Sequence, residues 1–161
     1  GDVEVGAAFE RIRIEVLSQA RDLSVLKKEV LAMRDKMFDA HGTRHRVGVA
    51  SEEITAEFDL KHDRGGLVDV EFIVQYLVLG YAHIHPALTE NLGNIALLKI
   101  AAELNLVPSG LSDDVRNAYR DFRRMQHQLR LNDASLRVTM SDVVPRVAAV
   151  CDLWALVFAP E

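Results

Sequence analysis

The fold of this chain is decided by residues 58–77, which read FDLKHDRGGLVDVEFIVQYL. Two adjacent glycines, Gly65 and Gly66, interrupt the backbone, and a nearly unbroken apolar run follows them as far as Ile84. This run has about the length of a membrane-spanning helix, yet carboxylates interrupt it, which disfavours a membrane span. We therefore predict a central buried helix that begins after Gly66 and ends near His85, just before a proline.

Three polar residues, Asp69, Glu71 and Gln75, lie inside this predicted buried helix. Burying them costs free energy unless each finds a hydrogen-bonding partner. Nucleotidyl-transfer sites place two carboxylates at alternate positions of a strand, where both point to one side and hold divalent metal ions. On a helix the same spacing separates two side chains by about 200°, so Asp69 and Glu71 are not expected to bind metal as a pair. The helix dipole favours Asp69 in the first turn, whereas for Glu71 a structural ion pair and a functional role stay open.

The glycine pair itself has two interpretations. Its spacing matches neither the GxxxxGK[ST] nor the GxGxxG phosphate-binding pattern. Two glycines before a helix could present free N–H groups to an anion, but a sharp turn beside a neighbouring element is the favoured interpretation. Lys61 and Arg64 flank the turn, and each is either solvated or paired with a phosphate, with Asp69 or with Glu71.

Apolar residues recur every three to four positions in five further segments, as in amphipathic helices. The N-terminal ends of these helices are predicted at Val3, at Asp22 or Ser24, at Thr89, at Ser112 and at Ser141. Gly42 is predicted to end the second helix, and Pro145 falls in the first turn of the last. The predicted apolar faces are Phe9, Ile12, Val16 and Ala20; Leu26, Val30, Met33 and Met37; Leu92, Ile95, Leu98 and Ala102; Val115, Ala118, Tyr119, Phe122, Met125 and Leu129; and Val147, Val150, Cys151, Trp154 and Phe158.

These patterns predict an all-α protein, a single helical domain of about six helices. No strand pattern is strong enough to assign, and residues 58–60 are expected to be extended only. Residues 42–57 have no helical period. A basic cluster, Arg44-His45-Arg46, is followed by the acidic residues Glu52, Glu53 and Glu57, so this segment is predicted to be a mobile loop.

Size and charge narrow the class of protein. A chain of 161 residues is long enough for one domain with a core. Its net charge of −5 argues against a general nucleic-acid binder. A lone cysteine, Cys151, excludes an internal disulfide and fits a reducing cytoplasm; on an apolar helix face it is expected to be an inert thiol. No cysteine accompanies the histidines, so no metal site built from them is expected. Because the chain begins with Gly1 and not with methionine, we expect it to be a piece of a larger protein.

The motif KxxRGGLxDVEFxxQ at residues 61–75 resembles the helical-domain signature of the bacterial glutamine synthetase adenylyltransferase and PII uridylyltransferase family. Its continuation is similar to the adenylyltransferase, in the version that follows the second of that enzyme's two nucleotidyltransferase domains. The further matching residues are Gln75–Leu79, Tyr81–His83, Pro86, Leu88-Thr89, Asn94, Gly1-Asp2, Phe9, Ile12-Arg13, Met33-Arg34, Lys36-Met37, Ala118-Tyr119, Arg123, His127, Leu129 and Leu131. The chain departs from the family at Asn91, at Gly93-Asn94 and at Ala96, where a tryptophan, an Asp-Asn pair and an arginine are usual.

The resemblance implies a parent enzyme that transfers AMP from ATP to a tyrosine of glutamine synthetase and removes it by phosphorolysis, under the control of glutamine and a PII-type signal protein. The full-length enzyme would use Mg²⁺ and ATP. Its metal-binding carboxylates would lie in a nucleotidyltransferase domain outside this chain. The chain is therefore expected to be a C-terminal helical domain of a cytoplasmic enzyme, inactive alone, with no catalytic residue and no bound cofactor.

The resemblance also implies that this helical domain packs on the adenylylating nucleotidyltransferase domain. Lys61, Arg64 and the glycine turn would face the nucleotide cleft, and the polar residues of the central helix would brace that face. The full set of candidate residues is Lys61, Arg64, Gly65, Gly66, Asp69, Glu71 and Gln75. Two alternatives remain: an interaction module for glutamine synthetase or a PII protein with no role at the active site, and the equivalent domain of a PII uridylyltransferase.

Overall fold

A computed structural model describes residues 3–43 and 56–159. Within these residues the chain forms six α-helices and one two-stranded ribbon, which confirms the all-α prediction. Most of the predicted 42–57 loop, residues 44–55, lies outside the described residues. The helices are α1 (Val3–Leu17), α2 (Leu23–His41), α3 (Leu67–Tyr81), α4 (Asn94–Glu103), α5 (Ser109–Leu131) and α6 (Val144–Val157); the strands are β1 (Glu57–Asp59) and β2 (Arg137–Thr139); and two 3₁₀ turns cover Pro86–Thr89 and Met140–Asp142.

The central position of α3 is confirmed. This helix contacts α2, α4, α5 and α6, and ten of its fifteen residues are buried. Its apolar side chains form the middle of a single core, whose fully covered members include Val70 and Ile73. A helix that is hydrophobic on nearly every side requires neighbours on nearly every side, and the other helices supply them.

Several predicted helix ends are wrong, because the side chains that were expected to cap these helices lie in other positions. Thr89 does not begin α4; its hydroxyl donates to the Pro86 carbonyl (2.8 Å) inside a 3₁₀ turn, and α4 begins after Gly93. Ser112 lies one turn inside α5, where it is buried and its hydroxyl donates to the Leu98 carbonyl (3.0 Å). Ser141 belongs to a 3₁₀ turn that precedes α6.

Other ends agree with the sequence. Asp22 is the N-cap of α2, and its carboxylate accepts from the Ser24 and Val25 N–H groups. Gly42 ends that helix, and Pro145 lies in the first turn of α6. The central helix ends four residues early, at Tyr81, and a further turn follows in which the Ile84 and His85 N–H groups both donate to the Tyr81 carbonyl.

The antiparallel β ribbon is the element that the sequence pattern did not predict. Phe58 pairs with Val138, a partner 80 residues away, and its ring is fully buried near Phe122. Strands this short leave no readable alternation, and the pairing satisfies backbone groups that would otherwise lie unpaired next to the core.

The apolar face of α1 is not buried as its period suggested. Phe9, Ile12 and Val16 are 63%, 56% and 46% exposed, and no residue of α1 is buried. On α2 the predicted core position Met33 is likewise 54% exposed, and Arg34 is buried instead. Among the described residues, no helix has the length and hydropathy that a membrane crossing requires.

Candidate functional site at the glycine turn

The glycine turn is a sharp bend pressed against α6. Gly65 has φ of +83°, and a Cβ placed there would lie 2.7 Å from Val147 Cγ1 and 2.9 Å from Cys151 Sγ. A Cβ on Gly66 would lie 2.8 Å from the Leu60 carbonyl oxygen. Both positions therefore require glycine, one for its left-handed backbone and both for close approach. The favoured interpretation, a tight turn beside a neighbouring element, is confirmed.

The N–H groups at the start of α3 are already engaged. The Gly65 N–H donates to Asp69 Oδ2 (2.6 Å), and the Gly66 N–H donates to the Asp63 carbonyl (3.0 Å). The next two N–H groups donate to the carbonyls of Leu60 and Lys61. A phosphate would have to displace these bonds, which favours the tight-turn interpretation of the glycine pair over the anion cradle.

The buried carboxylate of Asp69 has its partner on α2. Arg34 is fully buried, and its Nε donates to Asp69 Oδ1. Arg34 Nη2 also donates to the carbonyls of His62 (2.9 Å) and Asp63 (3.1 Å), so one guanidinium joins α2, the turn and the first turn of α3. Arg34 was not among the residues that the sequence predicted for the site. Its signal was present, because Arg34 continues the apolar row Leu26 and Val30 at four-residue spacing.

A second buried carboxylate, Asp63, completes the turn. It is 3% exposed and accepts from the N–H groups of Thr43 and Asp59 (2.8 Å for Asp59). Asp59 in turn accepts from the N–H groups of Lys61 and His62, both at 2.8 Å. Aspartates that accept from nearby backbone N–H groups are common in turns, and this property was the available signal. We refer to Arg34, Asp59, Asp63, Gly65 and Asp69 as the turn cluster.

Arg64 points away from the carboxylates that the sequence suggested for it. It pairs with Asp35 on α2, and its guanidinium carbon lies 5.2 Å from the Phe38 ring centroid and 5.9 Å from that of Trp154. One cation therefore connects α2 to α6 through a charge and two aromatic faces. Its side chain is 39% exposed, so it also reaches solvent.

Glu71 lies on the opposite side of α3 from Asp69, as helical spacing predicts. Its Oε1 accepts from the Tyr119 hydroxyl on α5 (3.3 Å), which itself accepts from Asn94 Nδ2 (2.9 Å). Burial raises the pKa of Tyr119, and the nearby Glu71 charge adds to that shift. Gln75 lies one turn further on and is exposed. Glu71, Tyr119 and Asn94 therefore form a half-buried hydrogen-bond network, and exposed Gln75 lies one turn away from it.

The structure thus divides the seven candidate residues into two groups. Gly65, Gly66 and Asp69 belong to the glycine turn and its contacts, and Arg64 lies beside them, on the side of α3 that faces α2 and α6. Glu71 and Gln75 lie away from that turn, and Glu71 faces α5. Lys61 is half-buried in the turn itself, where its carbonyl accepts from the Val68 N–H.

Histidine, cysteine, aspartate and glutamate side chains are the possible metal ligands in the described part of the chain. No three histidine, cysteine, aspartate or glutamate residues there are grouped as metal ligands. Cys151 is half-buried against the glycine turn, and burial raises the pKa of its thiol, which agrees with an inert thiol.

The chain is a helical domain whose central hydrophobic helix begins at a glycine turn. A buried arginine and two buried aspartates hold this turn in place, so the motif has a structural role in the domain. Comparison with known proteins then gives the family. Residues 31–153 match the family model described as GlnD PII-uridylyltransferase, and the chain belongs to this family.

Curated relatives point to one branch of the family. The chain is 52% identical over 158 residues to a protein of Aromatoleum aromaticum, 55% over 132 residues to one of Nitrosomonas europaea and 48% over 158 residues to one of Bordetella bronchiseptica. These matches cover 98%, 82% and 98% of this chain but only 16%, 13% and 16% of the relatives. Each relative is named bifunctional glutamine synthetase adenylyltransferase/adenylyl-removing enzyme. The resemblance carried by the KxxRGGLxDVEFxxQ motif is confirmed.

Proposed function

We propose that this chain is the C-terminal helical domain of an enzyme that adenylylates and deadenylylates glutamine synthetase, and that it packs on the adenylylating nucleotidyltransferase domain. The names of the relatives support the adenylyl-transfer activity over uridylyl transfer. In this proposal ATP and Mg²⁺ bind the nucleotidyltransferase domain, while the turn cluster sets the position of Lys61 and Arg64 and α3 presents Glu71 and Gln75. Glutamine and a PII-type protein act as regulators of the whole enzyme.

The exposed face of α1 is the observation that carries the packing proposal. Val5, Phe9, Ile12 and Val16 repeat at spacings of four, three and four residues, and are between 46% and 65% exposed. Another side of α1 is held to the domain, since Arg13 donates to the Thr89 carbonyl (2.5 Å). A continuous apolar stripe that faces outward is typical of a surface covered by another protein surface. Phe9 and Ile12-Arg13 of α1 are among the residues similar to the family version that follows the second nucleotidyltransferase domain, and this similarity makes that domain the occupant that we propose.

Polar substitution of this stripe tests the packing. We expect Phe9→Ser with Ile12→Ser to leave the melting temperature of the 161-residue chain nearly unchanged, because both side chains are already largely in water. In the full-length enzyme the same pair should lower the melting temperature by several degrees and reduce AMP transfer, because it removes about 1.5–3 kcal/mol of burial per side chain. Differential scanning fluorimetry of both proteins measures the first effect, and labelled-AMP incorporation into glutamine synthetase measures the second.

A matched control uses exposed apolar residues on other helices. Val25 on α2 and Leu156 on α6 are 50% and 46% exposed, so Val25→Ser with Leu156→Ser changes the surface by a similar amount away from α1. If the two double variants destabilise the full-length enzyme equally, α1 is not the interface.

The wild-type 161-residue chain, incubated alone with ATP, Mg²⁺ and glutamine synthetase, is expected to transfer no AMP.

The rival function is an interaction module whose motif serves folding only. Glu71→Gln separates the two in the full-length enzyme, because a glutamine oxygen can still accept from the Tyr119 hydroxyl while the charge is removed. We expect AMP transfer to fall at least tenfold, about 1.4 kcal/mol, with an unchanged melting temperature. Unchanged transfer, or transfer that falls only together with stability, would favour the interaction module.

A further inference from the structure

A row of basic residues runs along one exposed face of α5. Arg116, Arg120, Arg123, His127 and Arg130 follow one another at spacings of four, three, four and three residues, which places all five on the same side of a helix. We call this row the α5 basic stripe. It spans about 21 Å at 1.5 Å per residue. Arg116 is half-buried, and the other four residues are exposed.

Three of the four arginines in the stripe carry charge that no acid in the described part of the chain neutralises, while the fourth, Arg116, pairs with Asp113 (2.5 Å). In the described part of the chain, none of Arg120, Arg123 and Arg130 forms an ion pair with a carboxylate. Arg120 donates instead to the side-chain amide oxygen of Asn117 (2.7 Å), and Arg123 to that of Gln126 (3.0 Å). These amide oxygens are neutral, so they orient the two guanidinium groups without neutralising the positive charge.

The rest of α5 shows the contrast. Arg124, one turn after Arg120 at the edge of the stripe, pairs with Asp121 (2.6 Å), which also accepts from Arg146 on α6 (2.8 Å). Arg124 and Arg146, which lie outside the stripe, thus form ion pairs with a carboxylate, whereas most residues of the stripe do not. Such a concentration of positive charge in a chain of net charge −5 is a local feature and does not follow from composition.

We propose that the α5 basic stripe is a docking surface for an acidic segment of a partner protein. A straight row of basic side chains about 5–6 Å apart, four of them arginines, fits carboxylates that repeat along one side of a peptide. A nucleic acid fits less well, because Tyr119, the aromatic residue next to the row, is buried and its ring is unable to stack on bases. This inference goes beyond the proposed function and does not depend on it.

Fluorescence anisotropy with a labelled glutamate peptide of about ten residues, long enough to span the row, tests the stripe in the 161-residue chain. We expect saturable binding that weakens as ionic strength rises. The triple variant Arg120→Glu, Arg123→Glu, Arg130→Glu should weaken it at least tenfold, because three favourable charge contacts become repulsive. The neutral triple variant Arg120→Gln, Arg123→Gln, Arg130→Gln should weaken it less, and serves if the reversed variant fails to fold by circular dichroism.

The control variant is Arg11→Glu, Lys28→Glu, Lys36→Glu, which changes the net charge by the same amount at exposed positions of α1 and α2. We expect it to keep peptide binding within about twofold. Equal losses in the two charge-reversal variants would show that only net charge matters and would overturn the proposal. The proposal would also be overturned if the wild-type chain did not bind the peptide. It would likewise be overturned if a single-stranded oligonucleotide of equal charge bound more tightly through the same arginines.

Discussion

Asp69→Ala is expected to lower the free energy of unfolding by about 3–5 kcal/mol, the largest effect of the single substitutions predicted for this chain. The change leaves the guanidinium of Arg34 buried without its carboxylate. It also removes the acceptor of the Gly65 N–H, which lies at the bend where α3 begins. A charge that stays in a covered site without a counter-charge is costly, because the water that would solvate it is excluded. Urea denaturation followed by far-ultraviolet circular dichroism measures the loss.

A double-mutant cycle identifies the cause of that loss. Arg34→Met is also expected to destabilise, but the double variant Arg34→Met with Asp69→Ala should lose at least about 1 kcal/mol less than the sum of the single variants, because no lone charge remains buried. The control is Glu103→Ala, which breaks the exposed Lys99–Glu103 pair and should change stability by less than about 0.5 kcal/mol. Additive single effects would show that Arg34 and Asp69 do not act as a pair.

Gly65→Ala is expected to cost about 2–5 kcal/mol, the second largest effect. Alanine at φ of +83° is strained by about 1–2 kcal/mol. Its Cβ would also meet the Val147 side chain at 2.7 Å and the Val147 backbone oxygen at 2.9 Å, which forces α6 away from the turn at a further cost of about 1–3 kcal/mol. Because both contacts belong to α6, the variant should loosen that helix as well as the turn, which hydrogen exchange of the α6 amides would detect.

The matched substitution is Gly110→Ala. Gly110 lies in the first turn of α5, and a Cβ added there would have no heavy atom within 4 Å, so alanine should be neutral or stabilising by about 0.5–1 kcal/mol. The same added methyl group is therefore expected to lower the stability of the chain at Gly65 and to leave it unchanged or raise it at Gly110. A similar cost at both positions would mean that the strained turn described at Gly65 is not present in solution.

Much of the fold could be predicted from local pattern. The apolar run after Gly66 predicted a helix covered on nearly every side, and α3 contacts four other helices. Asp22 and Gly42 ended α2 where their capping chemistry predicted. The predicted ends at Thr89, Ser112 and Ser141 were wrong. The Thr89 hydroxyl donates within a 3₁₀ turn, the Ser112 hydroxyl donates to a carbonyl of α4, and Ser141 lies in a 3₁₀ turn that precedes α6.

The candidate site was predictable only in part, since a sequence shows which groups need partners and does not show where the partners lie. Helical spacing correctly separated Asp69 from Glu71, and in the structure they pair with Arg34 and Tyr119 on two different helices. Arg34 was missed because a charged residue on an amphipathic helix is usually solvated, and only the carboxylate 35 residues away makes its burial favourable.

The sequence by itself determined the six helices, the sharp bend at Gly65 and Gly66 and the family, because helical period, glycine chemistry and a specific motif are properties of neighbouring residues. Tertiary structure alone decided the rest: Arg34 as the counter-charge of Asp69, the pairing of Phe58 with Val138, and the outward apolar face of α1. Each of these depends on which distant segment comes to lie nearby, and burial and ion pairing acquire their energy only from that arrangement.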